Sequence, residues 1–361
     1  MRLTADSGLW STGPLATPTP LVAVVEVSGA VLSWTVDDGS DAQITFTDPA
    51  RADWLWRVVG ESGHSVLASA LLARSPEEVG TVELSGVDVR PGALGRLRRL
   101  ALGHWLRRWW PASQRDAIAM LDGALLEAEI ALLTAEAQDF FGDDTFDSDI
   151  EQLLAPHSAA LNAAAAQGDP RVIDLVDRCR EVADDAGVAF GEEFAVRRRD
   201  DYALAAGGDR RGHGPGAVAN GTASINWAAV PPGIFDAAEE TVDWTIEVTG
   251  GDVEAVVRAE LTGYGSPHGI AVRLRSDGGV GAGVLAADGG ASFPLTGADG
   301  TPLPETVAWN HDWGTTEVTV GADVPESMQT RERVRAFARS RLGRPADDAF
   351  LAEILAAESD Y

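Results

Sequence analysis

The sequence predicts an α+β, multidomain protein with an N-terminal β-rich region, a helical middle region and a C-terminal β-sandwich followed by two helices. Three observations predict it. Short apolar runs broken by turn clusters fill the first part of the chain, spacings of three and four dominate the middle, and an alternation of period two governs the later part. At 361 residues the chain also exceeds the usual size of one hydrophobic core. The expected parts are a β-rich domain at 1–90, a helical region at 91–190, a flexible linker at 191–220, a β-sandwich domain at 221–322 and a helical tail at 323–361.

Within the first part, the runs at 21–27, 31–35, 43–47, 54–59 and 81–84 read as strands. Asp37-Asp38-Gly39-Ser40 supplies a hairpin turn, because Asp and Gly tolerate positive φ. Residues 65–73 fit helix or strand equally. From Gly92 the pattern turns helical. Ser113 followed by Asp116 resembles a capping box, and Ile118, Leu121, Leu125, Ala128 and Leu132 then line one face of a long helix ending near Phe141. Asp169-Pro170, a cap followed by proline, opens a second helix that stops at Gly187 and turns Val172, Val176, Cys179 and Ala183 inward. The linker holds Arg197, Arg198, Arg199, Asp200 and Asp201 before a glycine-rich run, a composition with little apolar surface to bury. Beyond it, Val242, Trp244, Ile246 and Val248 alternate with polar residues, as do Val253, Ala255, Val257, Ala259 and Leu261, and Ile270, Val272 and Leu274. With 225–230, 280–286, 291–295, 305–309 and 316–320 they make eight strands of a sandwich. Helices at 326–342 and 347–357 close the chain.

Composition excludes several chemistries. Every one of the 28 basic residues other than histidine is arginine. A phosphate-binding P-loop and Schiff-base chemistry both need lysine, so neither is expected. The use of arginine with abundant Ala and Gly points to a high-GC bacterial genome. A single cysteine, Cys179, rules out an intramolecular disulfide and a multi-cysteine zinc site, and fits a reducing, cytoplasmic location. The net charge of -28 repels phosphate backbones, so no nucleic-acid partner is expected. Residues 1–20 lack a signal-peptide core, and Glu26 and Gly29 interrupt the apolar run at 21–34. No stretch is apolar for 18 residues, so no transmembrane segment is expected.

Charge is unevenly placed. Residues 91–115 hold six arginines and no acid, whereas 116–190 hold three arginines and 17 acids. In the Arg/Trp segment at 96–110, Arg98 and Arg108 fall within the stripe of Leu94, Leu97, Ala101 and Trp105, which disfavours a membrane-surface helix. It reads either as a central helix ion-paired to acidic neighbours or as a partner-binding patch of Arg107, Arg108, Trp109 and Trp110. On the tail, Arg331, Arg335 and Arg339 flank Val334 and Phe337, which suits docking into a partner's groove or capping this chain's own core.

Trp309-Asn310-His311-Asp312-Trp313 is the compact constellation of the sandwich. Trp309, His311 and Trp313 could stack and hydrogen-bond a ligand ring of sugar type, or form a turn between strands. Asp143, Asp144, Asp147, Asp149 and Glu151 could hold a hard cation, but lack the glycine and spacing of an EF-hand and read as a solvated loop. The six histidines show no zinc spacing, and Gly279 to Gly283 sits between strands, where close backbone approach explains it better than a dinucleotide fingerprint. No cofactor, metal site or catalytic residue is expected. The expected function is a non-catalytic adaptor or accessory, regulatory subunit that binds a protein partner in a bacterial multi-protein system. Two alternatives stand beside it: a hydrolase or metal-dependent enzyme using dispersed His104, His157 or His311 with Asp143 or Asp147, and a ligand-binding sandwich module.

Overall fold

The first strands are ones that sequence periodicity does not reveal. In the computed structural model, which describes residues 1–6, 8–13, 19–39, 41–73, 80–141, 150–190, 216–263 and 265–359, β1 (Arg2–Asp6) and β2 (Leu9–Ser11) precede β3 (Val22–Val27), β4 (Ala30–Thr35) and β5 (Gln43–Phe46). β1 buries Leu3 and Ala5 and β2 buries Trp10 and Ser11, runs too short to show a period. With β6 (Thr81–Glu83) they complete an antiparallel sheet in the order β3-β4-β5-β2-β1-β6. The β3–β4 hairpin turns on Ser28-Gly29. Gly29 has φ +72°, and a Cβ there would lie 2.2 Å from the Asp48 carbonyl oxygen, so only glycine fits.

Residues 54–59 are not a strand. They open α1 (Leu55–Leu72), whose buried residues Leu55, Val58, Val59, Gly63, Leu67 and Leu71 keep helical spacing. Gly60 has non-helical φ/ψ and breaks the helix there, which cuts the pattern into a short run that imitates a strand. The ambiguous residues 65–73 belong to the same helix up to Leu72.

The chain divides by its packing into two units, one of Met1–Trp109, Leu121–Glu193 and Gln329–Tyr361, the other of Trp110–Met120 and Phe194–Met328. In the first unit α2 (Gly95–Trp109) packs on β3, and α3 (Gly123–Phe141) packs on α2. The long helix therefore begins at Gly123, not at Ser113. Asp122 caps it, its Oδ1 accepting from Leu125 N at 3.0 Å. Ser113 Oγ does accept from Asp116 N, but residues 113–118 close a tight antiparallel bridge within the second unit instead of starting a helix. After α4 (Ile150–Leu154) and α5 (Ser158–Ala165), which sequence spacing missed, α6 (Pro170–Asp185) starts at the expected Asp169 cap and buries Cys179 against α3.

The second unit holds β7 (Ala217–Ala223), β8 (Val242–Thr249), β9 (Asp252–Ala259), β10 (Ala271–Ser276), β11 (Gly279–Val284), β12 (Gly290–Pro294), α7 (Glu305–Asn310) and β13 (Glu317–Val320). They form antiparallel sheets β12-β9-β8-β7 and β11-β10-β13. The period-two residues Val242, Trp244, Ile246, Val253, Ala255, Val257, Val272 and Leu274 are buried as the alternation requires. The sheets meet at a corner, where the ends of β11 and β12 are joined by backbone bonds at Val280–Thr296 and Ala286–Gly290. Phe293 fills that corner. A Cβ at Gly281 or Gly283 would lie 2.9 or 2.6 Å from its ring, which explains the alternate glycines of β11.

Two expected strands are corrected here. Residues 225–230 contain a 3-10 turn capped by Asn226, and the strand before them is β7, whose first residues fall in the stretch expected as linker. Residues 305–309 belong to helix α7, too short to display a 3.6 period, with Ala308 buried between exposed Val307 and Trp309. The chain ends in α8 (Met328–Gly343) and α9 (Leu351–Ser359), close to expectation.

Candidate functional site

The Trp309–Trp313 segment begins in the last two residues of α7, and its side chains divide. Trp309 is 53% exposed, with its indole N–H turned to Glu305. Trp313 is buried and donates to the Ala308 carbonyl at 2.9 Å. His311 meets Trp313 edge to face at 4.5 Å, and its Nε2 lies 2.7 Å from Ser276 Oγ. Its ring rests on Gly278, where a Cβ would lie 2.6 Å from Nδ1. The structure thus joins His311 to Trp313 and to Ser276, a residue 35 positions away that no local motif marks, and does not place the two indoles as a clamp. A serine hydroxyl bonded to an imidazole is the arrangement of an activated nucleophile. Ser276, however, lies on the inner side of β10 with Val272 and Leu274 and is buried.

The outer side of β11-β10-β13 is different in character. Ala271, Arg273 and Arg275 point outward on β10, beside exposed Val284, Ala282 and Val280 respectively on β11. On β13, Glu317 lies opposite Arg275 and Thr319 opposite Arg273. Arg115 of this unit is bound by Glu260, whereas Arg273 and Arg275 have no ion pair among the described residues. Residues 217–324 contain three arginines and 15 acids, so two of the three cations share one open sheet face. Sequence alternation could have found it, since the polar positions of 271–275 are both Arg.

On α2 the arginines reach across to α3. Arg96 pairs with Glu136, Arg99 with Glu129 and Arg107 with Glu127, at 3.7, 2.9 and 3.3 Å. Arg108 stacks over the Trp109 ring at 4.2 Å, Trp109 and Trp110 are half-buried, and Trp110 donates to the Ala119 carbonyl. On α8, Arg331 and Arg335 are buried and Arg339 is exposed, while Arg333 is held by Asp37 at 2.8 Å.

Of the residues considered for dispersed catalysis, His104 is pushed down to about 4 by burial and by Arg107, so it is neutral at physiological pH. His157 ends a 3-10 turn after α4. Asp143, Asp144, Asp147, Asp149 and His213 lie outside the described residues. Among the described residues, no group of three or more His, Cys, Asp or Glu could hold a metal ion, and no helix is long and apolar enough to cross a membrane. No family model matches the chain, and no curated protein or solved structure was found to be similar to it.

Proposed function

We propose that this protein is a non-catalytic adaptor or accessory subunit, and that the outer face of β11-β10-β13 receives an acidic surface of its protein partner. The observation that carries this reading is the pair Arg273 and Arg275, in no ion pair among the described residues and flanked by exposed Val280 and Val284. Interfaces favour such mixtures of arginine and apolar contact, because guanidinium groups bind carboxylates bidentately while apolar neighbours in the core of the contact exclude water. The net charge of -28 does not oppose it at contact range, since charges beyond a Debye length of about 8 Å are screened at physiological salt. A reducing, cytoplasmic setting goes with this reading, as the one cysteine is a buried thiol.

The test is affinity capture from the cells that make the protein, using wild type, Arg273→Glu/Arg275→Glu, and Arg258→Glu on the other sheet as control. The expected result is a stoichiometric acidic partner that the double variant loses and the control retains. Recovery of no such partner, or a partner held equally by all three, would reject the assignment.

A further inference from the structure

A groove of about 270 Å³ opens in the first unit between α2, α3 and α6. Its walls carry Arg96 and Arg99 from α2 and Arg178 from α6, and Glu129 and Glu136 come from α3. Leu132, Leu133 and Leu175 line the same groove. The surrounding stretch, 116–190, is the most acidic of the chain, yet three guanidinium groups converge here on two carboxylates.

One of those carboxylates, Glu136, is poorly matched to its cations. Glu136 is shared: Oε2 lies 3.7 Å from Arg96 Nε and Oε1 lies 3.5 Å from Arg178 Nη2, both longer than the roughly 2.8 Å of a good charge-assisted bond. Glu129 is already engaged by Arg99 at 2.9 Å and by Leu351 N, and burial favours its neutral form, so the groove's unfilled demand centres on Arg96 and Arg178. Such a groove offers more donors than acceptors, beside an apolar lining.

We infer that the groove binds a small organic oxyanion, a carboxylate or phosphate monoester with a short apolar body. Its oxygens take Arg96 and Arg178 from Glu136, and its carbon skeleton lies along Leu132, Leu133 and Leu175. Nothing in this depends on the sheet face of the second unit. The competing account is that Glu136 serves only as a strut joining α2 and α6 to α3, and the two accounts assign opposite effects to its removal.

The experiment is titration of the full chain with phenyl phosphate, benzoate and inorganic phosphate at constant ionic strength, followed by calorimetry. Saturable binding is expected for phenyl phosphate or benzoate, and weaker binding for inorganic phosphate, which cannot use the leucines. Glu136→Gln should tighten the organic ligand several-fold, because it removes the internal competitor. Arg96→Gln, at a side chain 75% exposed and hence safe for folding, should weaken it by about tenfold, the worth of one charged hydrogen bond. Absence of saturable binding by the two organic probes, or affinities unchanged by both substitutions, overturns the inference.

Discussion

Glu129 Oε2, on α3, lies 2.6 Å from the backbone nitrogen of Leu351, the residue that opens α9. The first N–H groups of a helix have no partner within it and form the positive end of its dipole. Here a carboxylate 222 positions away in sequence satisfies them. Arg99 meets the other oxygen of Glu129 at 2.9 Å, and Phe350, fully buried, packs under Arg99 at 5.1 Å. The docking of the last helix is therefore electrostatic at its first turn and apolar just before it.

Glu129 gives the fold a pH dependence of definite sign. Burial pushes its pKa up from 4.5 to about 7, outweighing the opposite pull of Arg99 and of the α9 N–H groups. The folded chain thus holds this proton more tightly than the unfolded chain. Its contribution is greatest below the unfolded pKa and is lost as pH rises towards 7, a total of about 3 kcal/mol at most. Urea denaturation at pH 5, 6, 7 and 8 should show wild type losing stability more steeply than Glu129→Gln. Parallel profiles would remove Glu129 as the cause.

Glu353 carries a different load. It is fully buried in the first turn of α9, accepts from Phe350 N at 2.9 Å, and takes both Nε and Nη2 of Arg341, which also bonds Asp348. Glu353→Ala leaves the Arg341 guanidinium buried without its main partner and should cost about 3–5 kcal/mol. Replacing both, as Arg341→Met/Glu353→Leu, should cost less than the single change, since no charge remains to be solvated. Denaturant midpoints compare them directly, and a single variant as mild as a surface substitution contradicts the account.

The two tryptophans beside His311 should separate cleanly. Trp313 is buried and bonded through its indole N–H, so Trp313→Ala should cost about 3–5 kcal/mol. Trp309→Ala removes a ring that is half in solvent and should change stability by about 0.5 kcal/mol or less. Thermal unfolding checks both. An equal loss at Trp309 would mean that its ring packs in solution.

What the sequence could reveal follows from range. The period-two runs of β8 to β10 and the Asp169-Pro170 cap are local signals, and the structure carries them as expected. Residues 54–59 and 305–309 imitate strands because a helix broken at Gly60, and one of six residues, show too few turns for their period. Ser113 imitates a helix cap because the hydrogen bond its Oγ accepts from Asp116 N occurs in a tight turn as well as at a helix start. Ser276 beside His311, and Glu129 beneath Leu351, are contacts between residues 35 and 222 apart, and no spacing rule reaches them.

Cys179 was legible as an inward residue, and its surroundings make a prediction of their own. The side chain is fully buried on α6, its thiol directed at the Ala128 carbonyl on α3 at 3.7 Å, and burial pushes its pKa up to about 12. The thiolate is the reactive species, so two barriers act together: the sulfur is inaccessible and it stays protonated at neutral pH. Native protein should resist iodoacetamide at pH 7.5 and become modified only as denaturant opens the α3–α6 contact. Mass spectrometry of the trapped thiol then reports unfolding of the first unit specifically. Rapid labelling of the native chain would show instead that α6 detaches from α3 without global unfolding, a motion of low free energy that the buried sulfur would otherwise forbid.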